Sequence, residues 1–314
     1  MDLLRPALQR YAWAQPGVAE EFLGIANDGA PIAEAWWGAH VNGSARLEDD
    51  TLLIDAVAAD PTATLGDSVA SRSGGQLPFL AKFLAVGQPL SVQVHPDLDQ
   101  ARRGFAEENA AGVPLGARER VFPDANHKPE LVVAATPMRI LAGFRPLADT
   151  AADLRSVGTA RAMELAAILD DSADAARYVA AVLAAPVDDD TSRALAEASG
   201  ASPSITQAAE ALTYYPRDAG ALVALALNVV ELGPGESCFV PARVVHAYVW
   251  GQGVEVQATS DNVVRAGLTS KHIDTDLLVR MALFDPTRPV VTRAPDVRGI
   301  VRHASLCATS KSAR

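Results

Sequence analysis

The sequence predicts a mainly β protein interrupted by an all-helical insert. Two observations predict it. Short apolar runs bounded by Pro and Gly flank the middle of the chain, and the middle itself has helical spacing and strong helix formers. In residues 1–145, LPFLAKFLAV, PLSVQVHP, PELVVAA and RILAGF read as strands. DLDQARRGFAEENAAG after Pro96 reads as a helix, with Asp97 as its N-cap and Gly112 as its stop. In residues 146–218, segments such as ARAMELAAILDD and ADAARYVAAVLAA read as helices punctuated by Pro186, Gly200 and Pro203. The acidic triplet at 188–190 reads as a solvated face. In residues 219–285 strands return in ALVALALNVVEL, SCFVPARVVHAYVW and GVEVQA. GPGES is a turn between the first two, and DTDLLVRMALFD is a closing helix. Residues 286–314 read as an unstructured tail. Together these zones predict an antiparallel β unit with a helical insertion.

Composition narrows the function. The 314 residues suffice for one large domain or two ordinary ones, and a hydrophobic share of 49% can fill a substantial core. A net charge of −11 argues against general binding of nucleic acid or anionic membrane, while leaving room for a local basic pocket. Cys238 and Cys307 are unpaired by any motif, the start carries no leader pattern, and no apolar run reaches membrane-spanning length. The expectation is a soluble, monomeric, cytoplasmic protein acting on a small molecule.

Three segments carry chemistry. On a strand, residues two apart share a face, so SVQVHP projects Ser91, Gln93 and His95 together. Imidazole is a common zinc ligand and an amide oxygen a weaker companion. In NHKPE, Pro129 extends Lys128, and Glu130 opens the apolar strand ELVVAA. A carboxylate buried there needs a partner, which a metal or a salt bridge would supply. In GESCFVPARVVHAY, His246 follows a short strand and a proline-initiated turn. Taken alone, the first two segments favour a structural role and the third is ambiguous. Together their spacing is informative: Gly87 to His95 matches the first cupin motif with Gln93 in place of the first histidine, and Gly235–Pro241–His246 matches the second. A cupin-type antiparallel β barrel with an internal metal is therefore expected.

At this level of detail the sequence resembles the type I phosphomannose isomerases. EAWWGAH, LPFLAKFLAVGQPLSVQVHPD, FPDANHKPELV, FVPARVVHAY and GVEVQATSDNVVRAGLTSKHID carry the resemblance, in family order over about residues 10 to 285. It implies a zinc (Zn2+) enzyme that interconverts mannose 6-phosphate and fructose 6-phosphate. It implies Gln93, His95, Glu130 and His246 as ligands, and Arg265, Lys271, Ser91, Lys128, Tyr248, Glu255 and Asp261 as active-site residues. Residues 1–145 and 219–285 would form the catalytic cupin domain, and residues 286–314 a remnant of a second cupin domain. Isomerisation through an enediol needs a base, for which Glu255 and His127 are rivals, and cations for phosphate, for which Arg265, Lys271 and Lys128 are available. A sugar-phosphate-binding cupin without activity is the alternative. Three residues depart from the family pattern. Arg243 stands where the turn has glycine and would be strained if φ is positive. Val245 stands in place of proline, and Phe122 in place of a tyrosine.

Overall fold

In a computed structural model the described residues are 3–172, 174–293, 296–297 and 300–301. The N-terminal part contains β1 (Ala7–Gln9), α1 (Val18–Leu23), β2 (Glu34–Trp37), the short helices α2 (Leu53–Ala59), α3 (Pro61–Leu65) and α4 (Asp67–Arg72), and β3 (Phe79–Val86). Then come β4 (Gln93–Val94), α5 (Leu98–Ala110), β5 (Glu130–Ala134) and β6 (Met138–Phe144). Six helices follow: α6 (Leu147–Val157), α7 (Ala160–Ser172), α8 (Ala175–Leu183), α9 (Asp189–Glu197), α10 (Pro203–Tyr214) and α11 (Gly220–Leu225). β7 (Leu227–Leu232), β8 (Glu236–Val240), β9 (His246–Ala258), β10 (Val264–Arg265), α12 (Thr275–Met281), β11 (Val291–Arg293), β12 (Asp296–Val297) and β13 (Ile300–Val301) complete the order. No described helix is long and apolar enough to cross a membrane.

The strands form two antiparallel arrays that share β9. One runs β1-β2-β3-β9-β5-β8-β11, and the other joins β10, β4, β9, β6 and β7. Residues from His246 to Trp250 pair with β4 and β6, and residues from Gly251 to Ala258 pair with β3 and β5. Between the arrays lies an apolar cluster with Leu84, Val132, Ile140, Val230, Cys238 and Tyr248. This is the cupin-like β fold that the motifs predict. The helices share a second, larger core with the outer face of the β4–β6–β9 array, where Leu165, Tyr178 and Leu225 join Val92, Leu141 and Ala247.

Two features of β9 set up the site. Opposite β6, Ile140 pairs with Tyr248 but Arg139 pairs with Trp250, so β9 carries one extra residue there. Such a bulge reverses the in-out phase of a strand. Burial follows it: His246 and Tyr248 are buried, Trp250 is exposed, and then Gly251, Gly253, Glu255 and Gln257 are buried. Gly251 absorbs the bend at φ 107°, where a Cβ would lie 2.6 Å from the Pro137 carbonyl oxygen.

Local signals hold in several places. Asp97 caps α5 by accepting from the Gln100 amide at 2.8 Å, and Gly112 follows the helix with φ 72°. Gly104 faces the Phe122 ring across this helix, where a Cβ would come within 2.3 Å of Cδ2. We expect Gly104→Ala to lower the thermal midpoint despite its better helix propensity, because overpacking costs about 1–3 kcal/mol against a gain of about 1. Calorimetry checks it.

Other expectations need correction. Ala221–Leu225, read as the start of a strand, belongs to the helix Gly220–Leu225. All six residues are buried, so no alternation or helical stripe was visible, and Ala and Leu favour the helix. The start of the supposed tail is ordered as sheet: Val291–Arg293 pairs with Ser237 and its neighbours in β8. The end of that tail, residues 302–314 with Cys307, lies outside the described residues. The acidic triplet is solvated as read, with Asp189 and Asp190 exposed, and Asp188 in addition caps α9 through the Thr191 amide at 2.7 Å.

Candidate metal centre

Strand register assembles the site. Gln93 lies directly opposite both His246 and Arg265, so these three side chains emerge in a row on one face. Lys82 lies opposite Glu255 in the other array. Glu130 opens β5 between β8 and β9. The faces meet at a cleft of about 600 Å³ whose lining includes Gln93, Lys128, Glu130, Tyr248, Glu255 and Arg265.

At its base His95, Glu130 and His246 are each 2% exposed, with one donor atom from each within 4.8 Å of the others. His95 Nε2 is 3.1 Å from Glu130 Oε1, and His246 Nε2 is 3.1 Å from Oε2. Among the described residues neither Nε2 has a hydrogen-bond partner. The other ring nitrogens explain this. His95 Nδ1 lies 2.7 Å from the Asn262 carbonyl, and His246 Nδ1 lies 2.9 Å from the Val244 carbonyl. A carbonyl only accepts, so each Nδ1 carries the proton and a neutral ring presents a bare lone pair at Nε2. Burial and the Lys128 charge hold His95 down to about 4, so it is neutral at physiological pH. Two imidazole lone pairs thus converge on a carboxylate with nothing positive between them except Lys128, whose Nζ is 3.1 Å from Oε1. A divalent cation fits that donor set, and the hydrogen bonds to carbonyls are the supports that metal-binding histidines use. Gln93, with Ser91 Oγ donating to its Oε1 at 3.2 Å, borders the same cleft.

Beside this cluster runs a buried chain of charges. Tyr248 Oη donates to Glu255 Oε1 at 2.8 Å and approaches Glu130 Oε2 at 3.4 Å. Lys82 Nζ sits 3.2 Å from Glu255 Oε2, 3.8 Å from Glu34 Oε2 and 5.1 Å from the Trp36 ring centroid. Burial, reinforced by Glu130, raises the Glu255 carboxyl even against Lys82. Burial opposes the Lys82 charge, but Glu255, Glu34 and Glu130 outweigh it and raise its pKa. Lys82 was missed by the sequence reading. Its signal was a lone cation inside the apolar run FLAKFLAV.

The remaining residues are spread over the cleft mouth. Asp261 is held by His40 at 3.3 Å and by Asn42 Nδ2 at 2.8 Å. Arg265 and Lys271 line the same cleft, and burial lowers the pKa of both. Of the two residues weighed as the base, Glu255 lines this cleft and His127 does not. Next to Lys128 on extended backbone, it faces the other way and borders a neighbouring cavity with Arg72, Arg102 and Asn126. Arg243, in the turn before His246, adopts φ 71°, the strained conformation foreseen for a residue in a glycine position. Its Nε donates to the Met281 carbonyl at 3.0 Å, and its backbone N–H to the His95 carbonyl at 2.7 Å.

Fold and cluster together define a cupin-type protein organised around a buried site for a divalent metal. Comparison with known proteins makes this specific. A family model described as the catalytic domain of type I phosphomannose isomerase matches residues 1–147. The chain is 42% identical over 296 residues to the mannose-6-phosphate isomerase of Salmonella typhimurium, covering 91% of this chain and 75% of the relative. It is 32% identical over 317 residues to the human one, covering 90% and 72%. A solved mannose 6-phosphate isomerase bound with zinc and yttrium superposes with a TM-score of 0.83 at 40% identity, covering 91% of this chain and 75% of that one. So does the Salmonella typhimurium enzyme bound to its substrate F6P and zinc, with a TM-score of 0.83, 40% identity and the same coverage. The chain belongs to the type I phosphomannose isomerase family.

Proposed function

We propose that this chain interconverts mannose 6-phosphate and fructose 6-phosphate, with zinc held by His95, Glu130, His246 and Gln93. The observation that carries the reading is the pair of unpartnered, buried imidazole nitrogens aimed at the two oxygens of Glu130. Bound zinc would supply Lewis-acid polarisation of the sugar oxygens. The chain's own residues do the rest. Arg265 and Lys271 form no ion pair among the described residues, which leaves them free to hold a phosphate dianion. Ser91 and Asp261 hydrogen-bond sugar hydroxyls, and Asp261 is oriented for it by His40 and Asn42.

Isomerisation moves one proton between adjacent carbons through an enediol. Glu255 is the better placed base. It is buried in the cleft, and its raised carboxyl pKa brings it closer to neutral, where proton transfer is most effective. Tyr248 and Lys82 fix its two oxygens. Lys128, beside Glu130, supplies positive charge where an oxyanion develops. In this reading residues 1–145 and 219–285 form the catalytic unit, and the helical segment buttresses it.

The test supplies mannose 6-phosphate to the purified protein and follows fructose 6-phosphate. Turnover should disappear on dialysis against a chelator and return with zinc. Binding of zinc and sugar phosphate without any turnover would replace the proposal by a non-catalytic, sugar-phosphate-binding role.

A further inference from the structure

Arg265 and Lys271, both lining the cleft, flank a turn whose shape is held largely by contacts with other segments. Residues 266–270 run between Arg265 and Lys271. Gly267 has φ 121°, and Leu268 takes the left-handed conformation at φ 53° although it is not glycine. Such backbone persists only where surrounding contacts fix it. On one side the contacts are to Val92, beside Gln93: the Ala266 amide donates to the Val92 carbonyl at 2.7 Å, and the Val92 amide to the Gly267 carbonyl at 3.0 Å. On the other side stands a carboxylate from the helical segment. Asp218 Oδ1 accepts from the Leu268 amide at 2.9 Å and from the Gly220 amide at 2.8 Å, and Oδ2 accepts from the Thr269 amide at 3.1 Å.

The two backbones meet without a side chain between them. A Cβ on Gly220 would lie 2.6 Å from Gly267 Cα, and one on Gly267 would lie 2.2 Å from Gly220 Cα. Asp218 therefore holds together three amides on two segments brought into direct contact. Charge-assisted bonds of this kind are about twice as strong as neutral ones. Leu268, Thr269, Ser270 and Lys271 then line the cleft together with Arg265.

We propose that Asp218 is a positioning residue for substrate phosphate: it locks the turn that sets the separation of Arg265 and Lys271. Asp218 does not line the cleft and acts only through the backbone of Leu268 and Thr269. The inference rests on the reading of Arg265 and Lys271 as the phosphate grip. It makes the helical segment part of substrate recognition and more than a support.

The test uses the zinc-loaded full chain and inorganic phosphate as the probe. Asp218→Asn keeps the shape of the side chain but turns one acceptor into a donor facing an amide. KM for mannose 6-phosphate and the inhibition constant of inorganic phosphate should rise together by about tenfold, with kcat changed by less than about threefold and zinc content unchanged. A merely structural role would lower the thermal midpoint or the active fraction and leave both constants where they were, and that result overturns the proposal. Arg265→Ala and Lys271→Ala serve as references. If they raise the phosphate constant and Asp218→Asn does not, the Asp218 inference alone fails. If neither reference raises it, the phosphate reading fails and the Asp218 inference with it. Should Asp218→Asn not accumulate as folded protein, Asp218→Glu keeps the charge on a longer arm, and the same joint rise is required of it.

Discussion

Glu130→Gln should lose stoichiometric zinc and at least about a thousandfold in kcat/KM, a loss of about 4 kcal/mol in transition-state stabilisation. The side chain keeps its size, so the change tests charge and donor set rather than packing. The carboxylate faces both Nε2 atoms and is the only acid among the three clustered ligands. An amide in its place offers one oxygen and two N–H groups. Its nitrogen can donate to only one of the two imidazole lone pairs, because His95 and His246 face different oxygens; that bond occupies one ring and removes the anionic donor a cation needs. A second readout separates this from misfolding. A ligand that binds only the folded state raises the thermal midpoint by an amount that grows with the logarithm of its concentration over Kd. Added zinc should therefore raise the midpoint of the wild-type protein and leave that of the variant unmoved. A variant that still takes up one zinc and still turns over would remove Glu130 from the ligand set.

The second large effect is expected at Lys82. Lys82→Met leaves Glu255 and Glu34 without their shared cation in a region where Lys82, Glu34 and Glu255 are all buried. Removing one partner of a buried pair costs about 3–5 kcal/mol. For a chain of 314 residues that lowers the thermal midpoint by about 4–8 °C. The pH dependence gives the sign. The Glu255 carboxyl already lies above its ordinary value of 4.5, and Lys82 is a force that holds it down. Without Lys82 it rises further. A carboxyl raised in the folded state binds its proton more tightly there than in the unfolded chain, so its stabilisation is present at low pH and lost as pH rises through the folded pKa. The deficit of Lys82→Met against wild type should shrink on going from about pH 8 to about pH 5.5. Paired thermal melts over that range check it, and a deficit independent of pH would mean that lost packing, not stranded charge, is responsible.

Much of the metal cluster was legible because it obeys local rules. His95 directly follows the short strand β4, Glu130 opens an apolar strand, and His246 follows a proline turn. What the sequence left open depends on contacts between distant segments. Whether Glu255 or His127 enters the cleft is decided by the orientation of one extended segment, in which Lys128 turns inward and His127 outward. Lys82 gave a signal of composition only; its pairing with Glu255 is a matter of register. His40 drew no attention because its partner, Asp261, lies far along the chain. The helix at Gly220–Leu225 and the strand at Val291–Arg293 were misread for related reasons. The first is buried on every side, and the second owes its conformation to β8 rather than to its own residues.

The extra residue in β9 has a bearing on how such chains can change. Tyr248 and Glu255 are an odd number of positions apart, yet both face the cleft, because the bulge resets the count between them. Shortening β9 by Val249 alone would keep every functional letter of the sequence. It would also turn either the histidine end or the glutamate end of the strand away from the other. Descendants of this chain can therefore exchange residues in that strand far more freely than they can gain or lose one, and for them spacing is the inherited trait that identity scores do not weigh.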